Sequence, residues 1–264
     1  DWDTPFGVPP FDRIESEHYL PAFRAAMKAH ADEVAAITAN ADAPTFENTI
    51  EALELSGGML SRVSRVFFAV DSANSDDVTK ETAKTVAPEL SAHRDNILLN
   101  KDLFERVLAV YEQRDSLDLS AEQAHLLDET HKQFVRSGAN LDDEAQARLR
   151  EINSELAGLS QQFGDNVLEE TNNFELLVTG RADLGDLPQS LVALAAEEAK
   201  RRGHDCDECW VFTLQRPSIN PFLQYSPNRE MRRQLFEGYA MRADNDNEFD
   251  NKAIISRMVA LRAE

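Results

Sequence analysis

The sequence predicts a mainly α-helical fold, a helical bundle with a small β insertion. Apolar residues recur at helical spacing through most of the chain up to Asn173 and again from Arg229 onward. Residues that favour helix N-caps stand at the start of several of these segments. The two β-like runs both lie between residues 174 and 214. We therefore expect an N-terminal arm and bundle in residues 1–172, and a strand-helix-strand insertion followed by further helices in residues 173–264.

The N-terminal arm is rich in proline. Because proline fixes φ and restricts the residue before it, residues 5–10 are predicted to be extended, with Phe6 and Phe11 holding the arm against the body. Pro21 suits the first turn of a helix that runs to about Thr38.

Five further helices are predicted for the bundle from caps and apolar spacing. They begin at Thr45, at Ser75, near Leu103, at Ser120 and at Leu141. The Thr45 helix contains Gly57 and Gly58, which can bend it or permit close packing. The last helix, residues 141–170, would be about 45 Å long at 1.5 Å per residue. A free coiled coil would suit its apolar stripe, but the neighbouring amphipathic helices favour a bundle.

The sequence pattern changes in residues 173–264. Residues 174–179 and 209–214 are predicted strands, and residues 188–202 a helix between them. Helices resume at residues 229–241 and 250–261. The last of these keeps its apolar spacing without a stop signal, so we expect the chain to be cut inside a helix.

Composition excludes several functions. The chain has 264 residues and a net charge of −21, and phosphate contacts need clustered Lys and Arg, so nucleic acid is not an expected partner. The sequence contains no run of about 18 apolar residues, so a membrane span is not expected. Two cysteines do not make a disulfide scaffold.

Residues 4–23, TPFGVPPFDRIESEHYLPAF, closely resemble the opening of the M3 zinc metallopeptidases, on the branch of the peptidyl-dipeptidases, also called dipeptidyl carboxypeptidases. Further blocks continue the resemblance in order along the chain. They are residues 43–57, 66–68, 98–100, 134–141, 149–153 and 250–255. The chain is thus identified as the N-terminal portion of such an enzyme.

The resemblance implies a neurolysin-like helical clamshell with a deep channel that admits short peptides. In this family a His-Glu-x-x-His helix and a later Glu hold the zinc. None of the six histidines here is followed by Glu. No catalytic, cofactor-binding or metal residue is therefore assigned, and zinc is expected only in the full-length enzyme. The expected partners are the missing C-terminal catalytic domain and short peptide substrates, and the fragment alone is expected to be inactive.

Three clusters suggest metal or redox sites, but each has a plainer interpretation. His125, Asp128, Glu129 and His131 are better explained as surface charges of an amphipathic helix. Cys206 and Cys209 form a lone CxxC before a strand, interpreted as a loop with incidental cysteines. Residues 244–255 resemble a calcium loop but have Phe249 and Ile255 where Gly and Glu are needed, so Asp250 is interpreted as a helix cap.

Five other residues stand out. Gly138 is interpreted as a backbone requirement between two helices. Trp2, Trp210, Phe212 and Tyr225 could line a peptide channel, although aromatic residues at such spacing more often belong to a core.

A second hypothesis belongs to another class: a self-contained helical interaction or adaptor protein derived from a peptidase ancestor. The peptidase hypothesis predicts that the full-length protein hydrolyses peptides, whereas the adaptor hypothesis predicts peptide binding without hydrolysis. The compartment stays open between cytoplasm and periplasm, with a slight preference for export because the family's opening follows directly on Asp1.

Overall fold

The computed structural model describes residues 3–206 and 208–264, so Trp2 lies outside the described residues. About 72% of the chain is helical, which confirms the mainly α fold. Contacts divide the chain into two compact units, a first unit up to Gln161 and a second unit from Gln162 onward. The division that the sequence suggested, at 172/173, stays a prediction.

Helices dominate the first unit. A π-helical turn, Phe46–Glu51, leads into α2. The α-helices are α1 (Tyr19–Thr38), α2 (Ala52–Glu54), α3 (Gly58–Asn74), α4 (Asp77–Leu98), α5 (Lys101–Glu112), α6 (Ala121–Arg136) and α7 (Asp143–Asn173), the last of which continues into the second unit.

Side-chain caps set most of these helix starts. Thr45 and Ser120 cap their helices as predicted, and each does so through a capping box. The cap of α4 is Asp76 rather than Ser75; its carboxylate accepts the N–H of Thr79 at 2.7 Å. Hydrogen bonds from Ser16 and from this backbone N–H lower the pKa of Asp76. The cap therefore stays ionised at neutral pH, where it complements the helix dipole.

Two apolar clusters fill the first unit. One lies between α1, α3 and α4 around Phe23 and Phe67. The other joins α1 and the π-helical turn to α5 and α6 around Leu103 and Phe134. Burial of these side chains is the main source of the unit's stability.

The predicted packing of the N-terminal arm is wrong. Pro5–Gly7 forms a 3-10 turn, with Phe6 at φ +60°. Phe6 is fully exposed and Phe11 more than half exposed, so neither ring holds the arm against the first unit. Proline restricted the backbone as expected, but in turns rather than in one extended segment.

The second unit contains the predicted β insertion. Strands β1 (Leu176–Thr179) and β2 (Cys209–Phe212) pair antiparallel, with Leu176 opposite Phe212, and α8 (Gln189–Arg201) lies between them in sequence. The helices α10 (Arg229–Ala240) and α11 (Lys252–Ala263) follow. The core includes Trp210, Phe212 and Phe222.

One helix of this unit was not predicted. Helix α9 (Arg216–Tyr225) contains Pro217 and Pro221, and proline normally interrupts a helix. Pro217 lies in the first turn, where the missing N–H costs no helix hydrogen bond. Burial of Ile219 and Phe222 then stabilises the rest of the helix.

Within the described residues, no helix combines the length and the apolar character needed to span a bilayer.

Candidate functional site

A cavity of about 390 Å³ in the first unit holds a pair of hydrogen-bonded histidines, His30 on α1 and His93 on α4. We call it the His30–His93 cavity. Much of the rest of its wall is apolar. These lining residues are Leu53, Leu60, Leu90, Ile97, Leu98 and Phe134. A volume near the lower end of the range of about 300–1,000 Å³ suits a small ligand or one large side chain.

The hydrogen bonds determine which nitrogen of each neutral imidazole carries the proton. The Ser56 hydroxyl donates to the carbonyl of Leu53 at 2.6 Å, so Ser56 Oγ accepts from His30 Nε2 at 3.1 Å. His30 Nδ1 then carries the lone pair that accepts from His93 Nε2 at 3.0 Å. Each neutral ring thus carries its proton on Nε2.

This chain of hydrogen bonds does not make Ser56 a nucleophile. A serine nucleophile needs a histidine nitrogen that accepts its proton, and His30 Nε2 donates here. Glu33, whose charge acts on His30, accepts the backbone N–H of Gly57 at 2.7 Å. The arrangement connects α1, α4 and the Ser56–Gly57 turn, and its chemistry is that of a structural support beside a partly apolar cavity.

Lower pH should weaken this pair. Burial lowers the pKa of His93, as does the neighbouring His30; burial also lowers the pKa of His30, against the attraction of Glu33. An unfolded imidazole titrates near 6.5, so just below that pH the unfolded chain binds more protons than the folded one. The contribution of the two neutral histidines to the free energy of unfolding is therefore fully present above about pH 6.5. It is lost as the pH falls from about 6.5 toward their lower folded-state pKa values.

We expect the free energy of unfolding to fall less steeply below pH 6.5 in His93→Gln than in His125→Gln, because His125 is exposed and outside the pair. Urea unfolding of both variants between about pH 7.5 and 5.5 measures the two slopes. Equal slopes would contradict the assignment of a neutral pair.

Gly57 is required beside His30. Its φ is +71°, and an added Cβ would lie 2.8 Å from His30 Cε1. Gly57→Ala should therefore cost about 2 kcal/mol or more, from the left-handed conformation and from overpacking. Gly58→Ala is the matched control, since nothing lies within 4 Å of its added Cβ. Thermal unfolding should show a loss for the first variant and a neutral or stabilising effect for the second.

A second cavity in the first unit, of about 360 Å³, lies between one face of α4, one face of α7 and the end of α6. We call it the α4–α7 cavity. It contains Asp95, whose carboxylate accepts from Asn153 Nδ2 at 2.8 Å. Burial raises the pKa of Asp95, against that hydrogen bond and the charges of Arg150 and Arg94.

The histidines of α6 do not form a metal site with their acidic neighbours. His131 stacks on Tyr111 at 3.8 Å between ring centroids, while His125 is exposed. Lys132 Nζ lies 2.9 Å from Glu129 and 3.8 Å from Asp128. The acids thus pair with a lysine of their own helix.

Cys206 and Cys209 are joined by a disulfide, with their Cα atoms 5.8 Å apart. The interpretation as incidental cysteines did not include this bond. The bond closes the loop that precedes β2, where His204 Nε2 lies 3.1 Å from Glu175 Oε2.

The acidic loop before α11 surrounds a lysine. Lys252 Nζ lies 2.9, 2.7 and 3.1 Å from carboxylate oxygens of Asp244, Asp246 and Asp250. Hydrogen bonds to these carboxylates raise the pKa of Lys252, so its ammonium supplies the positive charge there. Asn251 is the residue that precedes α11, but Asp250 does accept the N–H of Lys252 at 2.8 Å, as a cap would.

The other residues singled out from the sequence are structural or exposed. Gly138 has φ +93°, and an added Cβ would lie 2.7 Å from Leu149 Cδ2, which supports a backbone requirement. Trp210 and Phe212 are buried in the core, whereas Tyr225 is half exposed.

Sequence reasoning missed the two histidines that the fold brings together. A usable signal exists: His30 stands three residues after Met27 and four before Val34, and His93 has the same spacing from Leu90 and Ile97. Each histidine therefore interrupts an apolar helical face. Only the pairing of α1 with α4 shows that the two belong together.

The zinc implied by the sequence resemblance finds no ligand set among the residues that the structure describes. Across residues 3–206 and 208–264, no three His, Cys, Asp or Glu side chains are placed to hold a metal ion. The residues present do not fit the group, and no step through zinc is assigned to them.

The known proteins to which this chain is similar in sequence include several peptidases. The chain is 37% identical over 260 residues to a dipeptidyl carboxypeptidase of Escherichia coli and 38% identical over 258 residues to one of Salmonella typhimurium. It is 29% identical over 265 residues to an oligopeptidase A of Escherichia coli. These alignments cover 98–99% of this chain but only 38% of each relative. No family model matches the chain.

Proposed function

Because this chain belongs to the M3 peptidases, where it matches the N-terminal portion of the dipeptidyl carboxypeptidases, we propose that it is part of a zinc peptidyl-dipeptidase. The whole protein would release dipeptides from the C-termini of short peptides. The observation that carries this proposal is the 37% identity to a dipeptidyl carboxypeptidase across 98% of the chain.

Within that enzyme, the chain's role is non-catalytic. A metallopeptidase needs a metal-bound water with a lowered pKa and a nearby general base. The chain contains no His-Glu dipeptide, so it has no His-Glu-x-x-His helix to supply them. We propose that its helices form one wall of the substrate channel and that the catalytic domain lies in the remainder of the protein.

Incubation of the full-length protein with an N-acetylated hexapeptide tests this function. We expect stepwise loss of C-terminal dipeptides by mass spectrometry, abolished by a zinc chelator and restored by added zinc. A hexapeptide amide controls for recognition of the free C-terminus and should be cleaved poorly. Release of single amino acids would contradict the peptidyl-dipeptidase activity, and peptide binding without turnover would instead support the adaptor hypothesis.

A further inference from the structure

The α4–α7 cavity combines charges that are not matched within the protein. Arg94 and Arg136 both line it, and neither guanidinium makes a hydrogen bond or an ion pair within 4 Å to any described residue. Both residues are exposed, so a ligand in the cavity can reach their guanidiniums. Two arginines at one cavity suit a carboxylate ligand, which the planar guanidinium binds through two parallel hydrogen bonds.

The same cavity contains a carboxylate without a cation in direct contact. Asp95 is 7% exposed, and its side-chain hydrogen bond comes from the neutral amide of Asn153. Arg94 and Arg150 act on it only as nearby charges. A desolvated carboxylate gains from a ligand ammonium, because that ion pair offsets its burial.

Part of the cavity wall is apolar. Leu98, Leu149 and Leu156 line it together with Ala157. The hydroxyls of Ser91, Ser137 and Ser160 lie around it and have no side-chain hydrogen bond within the described part of the chain. The cavity thus offers two cations, one anion, spare hydroxyls and an apolar surface.

We propose that the α4–α7 cavity binds a zwitterion with an apolar side chain, that is, a free α-amino acid or a dipeptide. Arg94 and Arg136 bind the carboxylate, Asp95 binds the ammonium and the three leucines contact the side chain. A volume of about 360 Å³ is sufficient for either ligand. This site is independent of the proposed peptidase activity, and either proposal can fail without the other.

Other ligand classes leave part of the cavity unmatched. An inorganic anion would satisfy the arginines but would lie near the Asp95 carboxylate. A simple cation would pair with Asp95 and leave both guanidiniums without a partner. A purely apolar molecule would desolvate all three charged groups without replacing their hydrogen bonds, which is costly.

Calorimetric titration of the full-length protein with L-leucine and with Leu-Leu tests the proposal and separates the two sources. Saturable binding of at least one is expected at concentrations up to about 10 mM. L-leucinamide lacks the carboxylate and N-acetyl-L-leucine lacks the ammonium, and each should bind about tenfold more weakly or worse. Inorganic phosphate should not compete.

Matched variants locate the binding. Arg136→Gln should weaken binding of the zwitterion about tenfold or more but should not change the residual binding of L-leucinamide. Arg148→Gln, on α7 beside Glu151 and outside the cavity, should leave affinity unchanged. Asp95→Asn should remove the preference for L-leucine over N-acetyl-L-leucine.

Three results would overturn the proposal: no saturable binding of either zwitterion, equal affinity in Arg136→Gln and Arg148→Gln, or phosphate binding as tight as that of L-leucine. The last result would identify a simple anion site. Circular dichroism of each variant confirms that the fold is retained, and the L-leucinamide comparison needs no substitution.

Discussion

Replacing Phe67 with Ala should lower the free energy of unfolding of the first unit by about 3–5 kcal/mol. Phe67 is fully buried on α3, and its ring centroid lies 5.0 Å from that of Tyr19 and 5.2 Å from that of Phe23, both edge-on. The substitution removes buried apolar area and these two ring contacts, as well as a third with Phe68. It also leaves a void that closely packed helices cannot collapse to fill.

The next residue provides the control. Phe68 contacts the same cluster, with its centroid 5.1 Å from that of Phe67, but its side chain is 43% exposed. Phe68→Ala should therefore cost about 1 kcal/mol. Urea unfolding followed by far-UV circular dichroism measures both values. A similar loss from the two variants would show that Phe67 is not the centre of this cluster.

Leu235→Ala should cost about 2–5 kcal/mol in the second unit, although its neighbour on α10 is the larger residue. Leu235 is fully buried in the core that contains Trp210 and Phe222, whereas Phe236 is 60% exposed. Burial rather than size decides the effect, because only area removed from water contributes.

Phe236→Ala is the matched control and should change stability by less than about 1 kcal/mol. Trp210 lies in the same core, so its fluorescence reports on unfolding of this unit. A greater loss from Phe236→Ala than from Leu235→Ala would contradict the burial of α10 in this structure.

Most of the helices were predictable from local chemistry. Thr45, Asn100 and Ser120 each accept a backbone N–H at the start of their helix, and such caps act within four residues of sequence. The two strands were equally visible, since their β-branched and aromatic runs stand apart from the helical pattern. These signals required no knowledge of tertiary contacts.

The remaining features depend on tertiary contacts. Helix α9 forms despite two prolines because Ile219 and Phe222 are buried. His30 and His93 are 63 residues apart in sequence, so no local pattern could show their hydrogen bond. Likewise the α4–α7 cavity takes Asp95 and Asn153 from different helices. For Phe6 and Phe11 the prediction was wrong because burial was expected from their apolar character alone. Both residues are exposed.

The central claim is the proposal that this chain is a non-catalytic part of a peptidase whose catalytic residues lie outside these 264 residues. The most direct measurement compares hydrolysis of one N-acetylated hexapeptide by this chain alone and by the full-length protein, each with added zinc. The account predicts dipeptide release by the full-length protein and none above background by the chain alone. Chelator-sensitive dipeptide release by the isolated chain would contradict it.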